Sequence, residues 1–229
     1  MSISRLWTAV KWYVKGLFIH PLVEILLVII LIGEYLSLAN YKHLLAFAFL
    51  SEYILFPMYG IYVGLHFTRE HRIVVFEINL FKDLDIISMA RFIASVIGFI
   101  PLLIISISLL VYFEKTSLIV PVTMKILFYI VVTLIASLFN SKSFSFMFII
   151  LMEMLVPLSN SIIVQSLLPG QKLDIVLSIL MYLTSPLSIY ISKDLSILSP
   201  ITGFSIAAII CTLLLSMYHL LLKRIEYSI

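Results

Sequence analysis

The chain has 229 residues, is 62% hydrophobic and only 12% charged, and has a mean hydropathy of +1.18. Soluble domains carry roughly twice that charged fraction, so the composition excludes them and indicates an integral membrane protein. With 7 Gly, 8 Pro and apolar runs long enough to cross a bilayer, the spans are expected to be helices and not barrel strands. The single cysteine, Cys211, excludes an internal disulfide framework.

Residues 3 to 19 carry Arg5, Lys11 and Lys15 and are not a span. At helical spacing Ser4, Thr8, Lys11 and Lys15 fall on one side, with Arg5 at its edge, and Ile3, Leu6, Val10, Tyr13, Val14 and Leu17 on the other. This predicts an amphipathic helix lying along the membrane surface within residues 1–21, with Trp7, Trp12 and Tyr13 suited to the headgroup layer. No short apolar core followed by a small-residue cleavage site is seen there, so a cleavable signal peptide is not expected. His20-Pro21 ends the helix and turns the chain into the bilayer.

The spans expected next are Leu22 to Leu38 and, after a short turn, Leu44 to Leu65. Between the second and third spans lies a charged stretch, His66 to Arg91, with no Gly or Pro. Ile73, Val74, Phe76, Ile78, Leu80, Phe81 and Leu84 recur among its charges as in a short amphipathic helix. Hydrocarbon does not tolerate such an insert, so it must project into water. The third span is expected at Phe92 to Phe113, the fourth at Leu118 to Phe139 and the fifth at Phe144 to Val164. Residues 165–200 are broken by LPGQKLD, Ser185-Pro186 and Ser199-Pro200, and read as a re-entrant or interfacial element on the outer side. The last span, Ile201 to Leu222, ends in Lys223-Arg224. The fold class expected is all-α: six transmembrane helices in one transmembrane domain, 1–229.

Orientation follows from the basic residues. Arg5, Lys11, Lys15, Arg69, Arg72, Lys82, Arg91, Lys142, Lys223 and Arg224 fall on one side; Lys42, Lys115, Lys125, Lys172 and Lys193 fall on the other. The larger set marks the cytoplasmic side, with both termini on it.

There is no GxxxxGK[ST] phosphate loop, no HExxH pair and no GxSxG elbow, and the five histidines are scattered. No catalytic residue, enzyme activity or metal site is expected. Charge inside the membrane is costly and tends to be functional, and Glu52 and Glu153 are the deepest carboxylates. They either line a translocation path and contact a cationic substrate, or are neutral or paired carboxyls between packed helices, with Lys125 one partner. Glu24 and Glu34 lie nearer the ends of the first span. Pro57, Pro101 and Pro157 should kink their spans, and Gly60 and Gly64 permit close helix contact.

This layout resembles the permease subunit of ABC-2 type transporters. The local match is in the charged stretch: Arg69-Glu70, then Phe76-Glu77-Ile78, then Asp85-Ile86-Ile87-Ser88, with Arg91 where a basic residue opens the third span. The chain departs from the family pattern at Val74 or Val75, where a Gly is usual, and after Leu80-Phe81, where no Pro follows. The resemblance implies that 66–91 holds a cytoplasmic coupling helix, with Phe76 and Phe81 as anchors and Arg69, Glu70, Arg72 and Glu77 as polar contacts. Its implied partners are two copies of an ABC ATP-binding subunit, a second permease copy or paralogue, and membrane lipids, with no nucleic acid. ATP and Mg would be bound by the ATP-binding subunit, and this chain would need no cofactor of its own. The implied activity is export of a lipid-like, peptide or drug-like amphipathic substrate across a prokaryotic plasma membrane. The alternatives are a stand-alone secondary carrier or channel using Glu52 and Glu153, or a non-transporting membrane immunity or scaffold protein.

Overall fold

A computed structural model of the chain describes residues 3–39, 44–68, 84–139, 141–158, 174–192 and 196–226. Over these residues the protein is helical, without a β-strand. Helix α1 is Ile3–Phe18 and α2 is Pro21–Ala39. Helix α3, Leu44–Leu50, runs through a π-helical turn, Ser51–Leu55, into α4, Phe56–Phe67. Helix α5 is Leu84–Tyr112, followed by a 3₁₀ turn and α6, Ile119–Ala136. Helix α7 is Lys142–Leu158, α8 is Ile175–Thr184, α9 is Pro186–Ile191 and α10 is Pro200–Glu226.

Among the described residues, five segments are long and apolar enough to cross a membrane: Pro21–Ala39, Leu44–Phe67, Asp85–Tyr112, Thr116–Ala136 and Pro200–Leu222. They match the first four spans expected and the last. The fifth expected span corresponds to α7, which is described to Leu158, short of its expected end at Val164. The protein is therefore an all-helical, multi-pass membrane protein.

Burial ranks the helices. In Thr116–Ala136, 67% of the span window is buried, against 22% in Pro21–Ala39 and in Pro200–Leu222. Helix α6 is thus the post around which the others pack, and it touches α4, α5, α7, α8, α9 and α10. The outer helices present apolar side chains, such as Ile25, Ile32 and Leu36 of α2 and Ile209, Leu213 and Leu220 of α10, away from the core. Such faces are stable only against hydrocarbon.

Local chemistry explains the breaks. Pro57 has no N–H for the carbonyl of Tyr53, and the backbone meets this loss with the π turn immediately before it. Thr68 ends α4, donating from both its amide and its hydroxyl to the Gly64 carbonyl. Helix α5 ends in a Schellman motif: Lys115 N–H donates to Leu110 O at 2.7 Å and Glu114 N–H to Val111 O at 3.1 Å. That motif places Glu114 at φ 57°, in the left-handed region that favours glycine.

The amphipathic helix expected at the N-terminus is α1, and its buried face is Ala9, Val10, Tyr13 and Leu17. One of its expected interfacial aromatics is elsewhere: Tyr13 is fully buried, while Trp7 and Trp12 remain exposed. The boundaries of the charged stretch also differ from expectation. His66 and Phe67 belong to α4, and α5 already starts at Leu84, so Arg91 lies two turns inside a helix and is buried. Asp85, Ile86, Ile87 and Ser88 continue the apolar periodicity of the third span, which is why the helix extends back to include them. The expected contacts Arg69, Glu70, Arg72, Phe76, Glu77 and Phe81 lie outside the described residues.

Gly60 and Gly64 bring α4 close to its neighbours. A Cβ at Gly60 would stand 2.6 Å from the Tyr129 ring of α6, and one at Gly64 would meet Ile149 of α7. A Gly60→Ala variant should lose about 1–3 kcal/mol through overpacking, seen as a lower melting temperature in detergent. Conversely, Glu114→Gly should gain about 1 kcal/mol by relieving the left-handed residue, a rise in the same measurement.

Candidate functional site

The break between α8 and α9 is where the protein interior holds opposite charges. Ser185 leaves the helical conformation at φ −132°, ψ 54°, and Pro186 starts α9 without an N–H. The break therefore leaves a carbonyl at the end of α8 and amides at the start of α9 to be met from outside their own helices. In hydrocarbon such groups need partners from the protein.

Both partners are charged side chains on other helices. Glu52, in the π turn after α3, is fully buried. Its Oε1 accepts from Leu187 N–H at 2.6 Å, and its Oε2 accepts from Ser188 N–H at 3.1 Å and from Ser188 Oγ at 2.5 Å. The carboxylate thus occupies the positive end of α9, where a negative charge is favoured. Lys125, on the central helix α6, is also fully buried, and its Nζ donates to Thr184 O at 2.6 Å, the negative end of α8. The ammonium lies 4.8 Å from the Tyr129 ring centroid and 5.4 Å from that of Phe128, within cation–π range. It also attracts the Glu52 carboxylate electrostatically. A broken helix, a carboxylate and an ammonium neutralise one another in one cluster.

The π turn has a direct role here. A widened turn shifts the side chains that follow out of regular α register, and Glu52 is the second residue of that turn.

Two further polar anchors tie the spans. Glu34 of α2 is fully buried, and its Oε1 accepts from Ser106 Oγ of α5 at 3.0 Å and from Ser51 Oγ at 3.3 Å. Arg91 of α5, 2% exposed, donates from Nε to Tyr13 Oη of α1 at 3.3 Å, with its guanidinium carbon 5.8 Å from the Tyr13 ring centroid. The long face of α1 packs mainly on α5, around this contact. At the far end of α10, His219 meets both Ser88 Oγ (3.1 Å from Nδ1) and Asp85 Oδ1 (3.5 Å from Nε2) of α5.

Of the two carboxylates singled out from sequence, Glu52 is the centre of this cluster. Glu153 falls on α7 past Met152, the last residue of that helix whose side chain is described. Glu34 and the Arg91–Tyr13 contact were not selected as site residues from the sequence. A signal for Glu34 existed in its i, i+4 spacing to Ile30 and Leu38, both buried, but α2 is apolar on every side and hides the stripe. Comparisons with protein-family models, with curated proteins and with solved structures return no match.

Removing one member of the charge pair should be far worse than removing both. Lys125→Met should cost about 3–5 kcal/mol, because it strands a buried carboxylate. The double variant Lys125→Met with Glu52→Gln should recover part of that loss. A double-mutant cycle of melting temperatures in detergent checks this, with strictly additive losses as the contrary result.

Proposed function

We propose that the protein is the membrane-spanning permease subunit of an ABC exporter of the ABC-2 type, working with a separate ATP-binding subunit. In this reading the chain has six spans, both termini are in the cytoplasm of a prokaryotic cell, and a second permease copy completes the pathway. The observation that carries the reading is the packing of α1 along α5 through Tyr13 and Arg91. Helix α5 is the direct continuation of the charged stretch, so α1 and that stretch bear on the same span. A partner pressing on both from the cytoplasm would move α5 as a lever, and with it the central helix α6 against which α5 packs. The residues assigned to the partner contact are Arg69, Glu70, Arg72, Phe76, Glu77 and Phe81, with the aromatic pair as anchors. ATP and Mg belong to the partner. The cargo is lipid-like, peptide or drug-like, in keeping with the apolar composition of the long helices.

In the same scheme the α8–α9 break, between the central helix and the last span, is the outer element that yields as the pathway opens. Glu52 and Lys125 hold it in the state described, and opening exchanges their hydrogen bonds for others. One observation favours a second reading, a stand-alone carrier: half-helix ends meeting charged groups are how secondary transporters build ion and substrate sites.

A pull-down of tagged protein in mild detergent, with ATPase activity measured on the eluate, separates the two. An ATP-hydrolysing partner should co-purify with the wild type and be lost with Phe76→Ala or Glu77→Lys. A protein stable alone, with no such partner, would sink the exporter reading and favour the carrier.

A further inference from the structure

Helices α5 and α10 leave a groove between them whose lining includes no residue of the Glu52–Lys125 cluster. Its volume is about 510 Å³, within the range of small-molecule sites. Met89 of α5 and Leu220 of α10 line it and are exposed, so it opens on the apolar outside of the bundle. A ligand dissolved in the bilayer can enter it from the side.

The polar part of the lining has one sign. Thr212 Oγ1 donates to Ala208 O at 2.9 Å, and Ser216 Oγ donates to Thr212 O at 3.0 Å. The Asp85 carboxylate, 3.5 Å from His219 Nε2, favours the ring proton on that nitrogen, so Nδ1 accepts from Ser88 Oγ, 3.1 Å away. A hydroxyl has one proton and two lone pairs. All three hydroxyls spend the proton within the protein, and lone pairs are what they offer to the groove. An occupant must therefore donate hydrogen bonds and need not accept any. The rings of Phe92 and Tyr218 also line the groove, and aromatic rings attract cations. Asp85, beside His219, adds a carboxylate at that end. One common group meets all of these conditions: an ammonium donates, never accepts, and is drawn to aromatic rings and carboxylates alike.

We propose that the α5–α10 groove binds a lipophilic ammonium, an organic molecule with a cationic amine head and an apolar body, taken up from the membrane. The head lies among Ser88, Thr212 and Ser216, and the body lies against Met89, Leu215 and Leu220. In the exporter reading such a molecule is the cargo, and only that label rests on the reading. Binding itself requires neither a partner nor ATP.

The test uses the full-length protein alone in phosphatidylcholine nanodiscs. The probe is monodansylcadaverine, a primary ammonium on an apolar fluorescent body, and its control is the N-acetyl derivative, which keeps the body and loses the charge. Fluorescence is read against empty nanodiscs. The wild type should bind the amine saturably, about tenfold or more tighter than the acetylated compound. In the double variant Thr212→Val with Ser216→Ala, the hydroxyls lost bond only to their own helix, so an unchanged melting temperature should show that the fold is kept. That variant should bind the amine several-fold more weakly and the acetylated compound as before. Equal wild-type affinity for the two compounds, or no saturable binding of the amine, would overturn the proposal without any variant having to fold. Unchanged amine affinity in the folded double variant would overturn it too. Amine binding by a protein that captures no ATP-hydrolysing partner would keep the site and sink only the exporter reading.

Discussion

Hydrocarbon supplies no hydrogen bonds, so a helix can break inside a bilayer only where other side chains take over the freed backbone groups. At Thr184 to Ser188 that role falls to Lys125 and Glu52. Each charge alone would be prohibitive at zero exposure. Together, with the helix ends supplying partial charges of the complementary sign, they form a neutral cluster. The arrangement constrains much of the molecule, because Lys125 stands on the most buried helix and Glu52 on the π turn just before Pro57. The broken element, the central post and the second span are therefore held to one another at a single point.

The remaining polar contacts follow the same logic at lower stakes. Glu34 joins the first span to the second and third, Arg91 and Tyr13 join the N-terminal amphipathic helix to the third, and His219 joins the last span to the third through Ser88 and Asp85. Helix α5 takes part in all three. Apolar packing against lipid-like surfaces is weakly directional, since lipid tails are as apolar as the side chains themselves. A few buried hydrogen bonds, each between named partners, can then set the register of a bundle whose apolar faces would tolerate several. Gly60 and Gly64 add shape to that specification by letting α4 approach Tyr129 and Ile149 closely.

A helix that enters the membrane from a charged segment is a natural lever. Because α5 begins at Leu84 and not near Phe92, Arg91 lies two turns inside it and meets Tyr13 of α1 there. This gives the exporter proposal its mechanical content: force applied at the surface reaches the bundle through a continuous helix.

The sequence by itself determined the membrane class, the amphipathic N-terminal helix, four of the long apolar helices and the last, and the helix break at Ser185-Pro186, because each is written in local composition: long apolar runs, a charge stripe at helical spacing, a Ser-Pro pair. It also marked Glu52 and Lys125 as unusual, since any charge in such a run stands out. Only the tertiary structure decided whom they serve. Glu52 and Ser188 are 136 residues apart in the chain, and nothing local tells a carboxylate that its partner is a helix end. The same holds for Glu34, hidden in a helix apolar all round, and for Arg91 and Tyr13, which look like surface residues until α1 folds against α5. Composition fixes which segments leave water, but the partners of the few polar groups they carry are chosen by packing.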